Sequence, residues 1–145
     1  MRDRLIEIVL AELAGLGDNA SVSAQFNVPA TVICGGGAIA ELTPQLKRLR
    51  VTRVLLVTDD FMVRSGLVSR VEAELRGVDI AVATFAGVQP DPTEENVLAG
   101  LAQFHAEGAE AIVALGGGSP IDCGKAISLL SANPAPLSLY LGRHK

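Results

Sequence analysis

Residues 111–127, AIVALGGGSPIDCGKAI, run from an apolar stretch through glycines 116–118 into a segment with helical spacing. Ser119 is of a type that caps helices, and Pro120 suits a first helical position, so the sequence marks a helix start twice. Glycine at such a junction lets a ligand approach the backbone where the helix N–H groups are free, which favours an anion. Two common phosphate motifs nevertheless fail. G-x-G-x-x-G fits Gly116 and Gly118 but puts Ile121 at its third glycine, and G-x-x-x-x-G-K-[ST] fits Gly124-Lys125 but needs glycine at Ser119 and a hydroxyl at Ala126. The remaining pattern is G-G-G-S-x-x-D-x-x-K, with Asp122 and Lys125 on one helical face. On residues alone this is either a phosphate or nucleotide seat or a tight structural turn.

A second candidate lies in Val57-Thr58-Asp59-Asp60. A carboxylate just past a parallel strand is placed to accept hydrogen bonds from an adenosine ribose, and it would repel a 2′-phosphate. That favours NAD over NADP at Asp59. The competing reading is a helix cap, work that Asp60 could do. A third candidate is the loop Gln89-Pro90-Asp91-Pro92-Thr93, in which Thr93 reads as an N-cap and Asn96 as its third helical residue. Gly35–Gly37 mirrors the later triplet without a following Ser, Asp and Lys, and reads as a turn. His105, near a helix end, and His144, near the C-terminus, form no metal or catalytic constellation. Cys34 and Cys123 lack metal or redox spacing and read as free thiols in a reducing cytoplasm.

Alternating elements position these residues. The spacing predicts a helix over 3–14 and strands at Thr31–Cys34, Arg53–Thr58, Asp79–Phe85 and Glu110–Leu115. Helices are predicted at Ala38–Leu49, Met62–Arg76, Thr93–His105 and Ser119–Ser131. Alternation of this kind means βαβ units and a parallel sheet, the α/β class, with ligands at the carboxyl ends of the strands. Beyond Asn133 the periodicity stops, and the sequence reads as cut rather than finished.

With 145 residues, 49% of them hydrophobic and only 3% aromatic, the chain has an aliphatic core and is not a disordered segment. A net charge of −4 gives no basic footprint for nucleic acid. No apolar run approaches the roughly 18–20 residues that span a bilayer, and charges in the N-terminal stretch exclude a secretory signal.

The segments FNVPATVICGGGAIAEL, LLVTDDF, VQPDPTEENV and IVALGGGSPIDCGKAI, in this order and spacing, resemble the N-terminal half of iron-containing (group III) alcohol dehydrogenases. The wider superfamily includes glycerol dehydrogenase and dehydroquinate synthase. The likeness covers about residues 26–145. It implies a Rossmann-like dinucleotide-binding domain over 26–145, an N-terminal helix and linker over 1–25, and a helical metal-binding domain lying beyond this sequence. The resemblance assigns the cofactor pyrophosphate to Gly117, Gly118 and Ser119, the nicotinamide side to Asp122, and the adenine ribose to Asp59. Asp91 falls where the family commonly has Asn and lines the cofactor, a departure that adds negative charge. The implied activity is hydride transfer between NAD, with NADP disfavoured, and a small alcohol or aldehyde. Fe²⁺ or Zn²⁺ is expected only in an intact enzyme, since no metal ligand of the family matches a residue here. A polyol dehydrogenase, a related synthase and a standalone nucleotide-binding module are the alternatives. Loss of a covering domain would leave an apolar surface near the fourth helix and favour a homodimer. No nucleic-acid or membrane partner is expected.

Overall fold

The computed structural model describes residues 31–133 and 136–140. The chain divides between Cys34 and Gly35, and every element below belongs to 35–145. The helix expected over 3–14, and with it the expected 1–25 segment, lies outside the described residues.

A 3₁₀ turn, Ala38–Glu41, leads into α1 (Leu42–Arg48). There follow β1 (Arg53–Asp59), α2 (Asp60–Arg64), α3 (Leu67–Arg76), β2 (Ala81–Val88), α4 (Glu94–Ala106), β3 (Ala111–Ala114) and α5 (Gly118–Ala132). The strands form a parallel sheet in the order β2-β1-β3. This is the α/β, Rossmann-like arrangement expected.

β1 is the central strand, and Val54 through Thr58 are fully buried. A strand covered on both faces needs apolar side chains on both, which is why RVLLVT is a continuous run rather than an alternation. Val54 and Leu56 face one layer, with Val68, Val71 and Leu75 of α3. Leu55 and Val57 face the other, with Val97 of α4 and Cys123, Ile127 and Leu130 of α5. Each such side chain contributes ~1.5–3 kcal/mol on burial. The second layer is drawn tight by glycine. A Cβ on Gly124 would stand 3.1 Å from Ala114 Cβ, and one on Gly100 would stand 2.4 Å from Ile127 Cδ1.

Several expected boundaries move. Residues 31–34 form no strand. The helix expected over Met62–Arg76 is two helices, because Gly66 takes a left-handed φ of 78° and restarts the chain as the N-cap of α3. β2 begins at Ala81 rather than Asp79, which sits at φ 62° in the turn that ends α3. After Asn133 a 3₁₀ turn, Leu137–Tyr140, lies against the α4–α5 layer, and the Leu137 N–H donates to Glu94 Oε1 at 3.0 Å.

Candidate functional site

The sheet order makes a crevice. From β1 the chain crosses to β2 through α2 and α3 on one face; from β2 it crosses to β3 through α4 on the other, the face that α5 also covers. The connections leaving adjacent β1 and β3 therefore diverge to opposite faces. The carboxyl ends of these two strands flank a topological switch point, where α/β sheets take ligands.

The two lips of the crevice are tied together. Leu115 N–H donates to Val57 O at 2.9 Å, and buried Thr58 Oγ1 donates to Leu115 O at 2.8 Å. A hydroxyl at the end of an otherwise apolar strand is satisfied only by such a carbonyl, so Thr58 locks the β1 end to the glycine turn. The sequence reading passed over Thr58; its signal was the one polar residue closing RVLLVT.

On the β3 lip, Gly116 has a φ of 146°, and a Cβ there would meet Pro120 Cγ at 2.7 Å and Met62 Cγ at 3.4 Å. Gly116 is therefore the residue that makes the corner and lets α2 approach it. Gly117 and Gly118 have no neighbour within 4 Å of a Cβ position, so their α-carbons border open space. Here the cap expectation is corrected. α5 starts at Gly118, its N-cap is Gly117 with no side-chain cap bond, and Ser119 and Pro120 are the second and third helical residues. Pro120 is tolerated there because first-turn N–H groups have no intrahelical acceptor anyway. The first i→i−4 bond at this end runs from Ile121 N–H to Gly117 O at 3.3 Å. The Gly118 and Ser119 N–H groups, with no residue four positions earlier in the helix to receive them, are thus aimed outward from a 15-residue helix.

On the β1 lip, Asp59 rather than Asp60 caps the next helix: its Oδ1 accepts from Met62 N–H at 2.9 Å. The cap fixes the half-buried carboxylate at the strand end and uses one of its two oxygens. Capping and ligand recognition are compatible. Asp60 points away and pairs with Arg64 at 3.3 Å, both largely exposed.

Asp122 lies on the first turns of α5, paired with Lys125 at 3.2 Å; the side chains are 68% and 72% exposed. Such a pair contributes little to stability and leaves both groups accessible. Asp91 is exposed in the loop beyond β2, at the same carboxyl edge of the sheet but one strand over from Asp59. Its φ is 53°, a left-handed conformation that Asp and Asn adopt more readily than other non-glycine residues. The loop is anchored as expected by a capping box between Thr93 and Asn96, and Asn96 Nδ2 also donates to Gly87 O at 3.3 Å. The fold thus brings Asp59 and the glycine turn to one crevice, with Asp122 on its helix and Asp91 on its flank.

Cys34 is exposed and Cys123 is buried, both as free thiols. Burial pushes the Cys123 thiol up, which makes it an inert core residue. Among the described residues no three His, Cys, Asp or Glu side chains converge as a metal-binding group. No helix among them is long and apolar enough to cross a membrane.

The iron-containing alcohol dehydrogenase family model matches residues 29–145. The NAD-dependent methanol dehydrogenase of Bacillus methanolicus is 37% identical over 117 residues, covering 81% of this chain and 31% of that protein. The crystal structure of a 1,3-propanediol oxidoreductase superposes with a TM-score of 0.71 at 40% identity, covering 74% of this chain and 28% of the other. The sulfoacetaldehyde reductase of Bifidobacterium kashiwanohense, solved in complex with NAD+, superposes with a TM-score of 0.71 at 26% identity, covering 86% and 32%. This chain therefore spans less than a third of the relatives it matches. With the family's match running through the glycine turn, Asp59, Asp91, Asp122 and the sheet that carries them, this chain belongs to the iron-containing alcohol dehydrogenases.

Proposed function

We propose that this chain provides the NAD-binding part of an alcohol dehydrogenase that exchanges hydride with a small alcohol or aldehyde. The observation that carries this reading is the switch-point crevice, in which two glycines with open Cβ positions and an uncapped helix start face a fixed carboxylate. A pyrophosphate fits that chemistry: the Gly118 and Ser119 N–H groups and the Ser119 hydroxyl donate to it, and the bare α-carbons let it approach. The free oxygen of Asp59 accepts from the ribose hydroxyls and disfavours a 2′-phosphate by charge repulsion. Asp122 borders the nicotinamide end, and Asp91 lines the flank. NAD, when bound, supplies the hydride acceptor; the residues described here hold and orient it.

The test is a calorimetric titration of NAD and NADP against the wild-type chain, Asp59→Asn and Asp59→Ala. Asn caps helices about as well as Asp, so Asp59→Asn keeps the fold while removing the charge. The expected result is a wild-type preference for NAD that narrows by about tenfold in Asp59→Asn, or ~1.4 kcal/mol. Asp59→Ala should lose NAD affinity and also about 1 kcal/mol of stability with the cap. Equal binding of NAD and NADP by the wild type would overturn the ribose assignment.

A further inference from the structure

β2 is an eight-residue strand, AVATFAGV, with no charge and no proline. Among the described residues it pairs on one side only, with β1. An uncharged, β-prone strand at a sheet edge is a template for pairing with another copy. The direction of its backbone groups follows from alternation. Ala81 N–H donates to Thr52 O at 2.8 Å, so residue 81 points its backbone toward β1, and residues 82 and 84 point theirs outward.

The outward carbonyls of Val82 and Thr84 are occupied by side chains, one from each face of the sheet. Arg76, at the end of α3, donates from Nη2 to Val82 O at 3.4 Å. Gln103, on α4, donates from Nε2 to Thr84 O at 3.1 Å. The Arg76 guanidinium is also held by Glu72 Oε2 at 3.1 Å, and Glu72 accepts the Thr84 hydroxyl through its other oxygen. Thus a network of Arg76, Glu72 and Thr84 ties α3 to the strand edge, while Gln103 reaches it from the opposite layer.

We propose that Arg76 and Gln103 close the outer edge of β2 against strand addition by a second copy of this chain. The two side chains take two of the acceptors that an incoming strand would use. Arg76 also leaves a cation at the edge, a charge that an apolar strand would have to desolvate. The device is independent of the cofactor crevice.

The experiment compares wild type, Arg76→Ala, Gln103→Ala and the double variant by light scattering during size exclusion, across a tenfold concentration range. The double variant should show an apparent mass at least about twofold above wild type, rising with concentration. Adding Thr84→Lys to the double variant returns a charge to the edge and should restore the wild-type mass. Thermal melts show which variants keep the fold; Arg76 is exposed, so Arg76→Ala alone carries the comparison should the double variant not fold. A folded variant with wild-type mass at every concentration would overturn the proposal. So would association that Thr84→Lys leaves unchanged, because pairing through β2 must respond to a charge placed on it.

Discussion

A methyl group added at Gly116 would stand 2.7 Å from Pro120 Cγ on a backbone at φ 146°, whereas one added at Gly117 would meet nothing within 4 Å. The two neighbours therefore predict opposite phenotypes. Gly116→Ala should cost about 1–3 kcal/mol through strain and a clash with the first turn of α5. Gly117→Ala should cost a few tenths to ~1 kcal/mol, the difference between Gly and Ala at an N-cap. Its effect should instead appear as a roughly tenfold loss of NAD affinity, because the methyl occupies the space a pyrophosphate needs. Melting curves and NAD titrations on both variants separate the roles; a Gly117→Ala protein that binds NAD normally would remove the anion seat from this turn. At this scale the sequence was readable in residue type but not in assignment. Ser119 has the chemistry of a cap, yet the cap is Gly117, and the carboxylate that caps α2 is Asp59 rather than Asp60. Which residue becomes the cap depends on where the strand stops hydrogen bonding, and that is set by its neighbours.

The elements are joined at the amino edge of the sheet by Glu110, just ahead of β3. Its Oε2 accepts from Thr52 N–H at 2.7 Å and Arg53 N–H at 3.3 Å, and both its oxygens lie 3.2 Å from the Thr52 hydroxyl. The Thr52 backbone bond, with the Thr52 hydroxyl, Arg53 N–H and Arg53 charge, holds the Glu110 carboxyl below its ordinary range against an opposing desolvation. A carboxylate lowered on folding stabilises the fold above its unfolded pKa of ~4.3, and that contribution is lost as pH falls through the lower folded value. Glu110→Gln should therefore lower the melting midpoint at pH 7, with the difference from wild type closing as the solution is acidified below about pH 4. A difference that stays constant with pH would mean that the charge is not what joins the strands. Element type was legible from periodicity in the strongly patterned segments, and Thr93 with Asn96 gave the start of α4 correctly. The break in Met62–Arg76 was not read, although Ser65-Gly66 carries it: Gly66 supplies a left-handed residue that periodicity does not register. Residues 31–34 have strand-forming types, but β1 takes its two partners from β2 and β3.

For the whole molecule, the proposed NAD site predicts a coupling between ligand binding and stability. A ligand bound by the folded state alone, at a hundred times its dissociation constant, stabilises by about 2.7 kcal/mol, which for a domain of this size raises the melting midpoint by several degrees, roughly 5–15 °C. NAD should produce this shift in the wild type and a smaller one in Asp59→Asn, and a midpoint indifferent to NAD would count against the proposed site. The sequence by itself determined the α/β class, the aliphatic character of the core and the family, because apolar runs alternating with helical spacing and a glycine–helix junction leave patterns local in the chain. Only the tertiary structure decided which strands are neighbours. The order β2-β1-β3 sets Asp59 beside the glycine turn and Asp91 one strand away, and among the described residues it puts β2 at an edge where Arg76 and Gln103 donate to two of its carbonyls. Those relations depend on the faces over which the crossovers pass. They are contacts between residues far apart in sequence, so no local pattern encodes them.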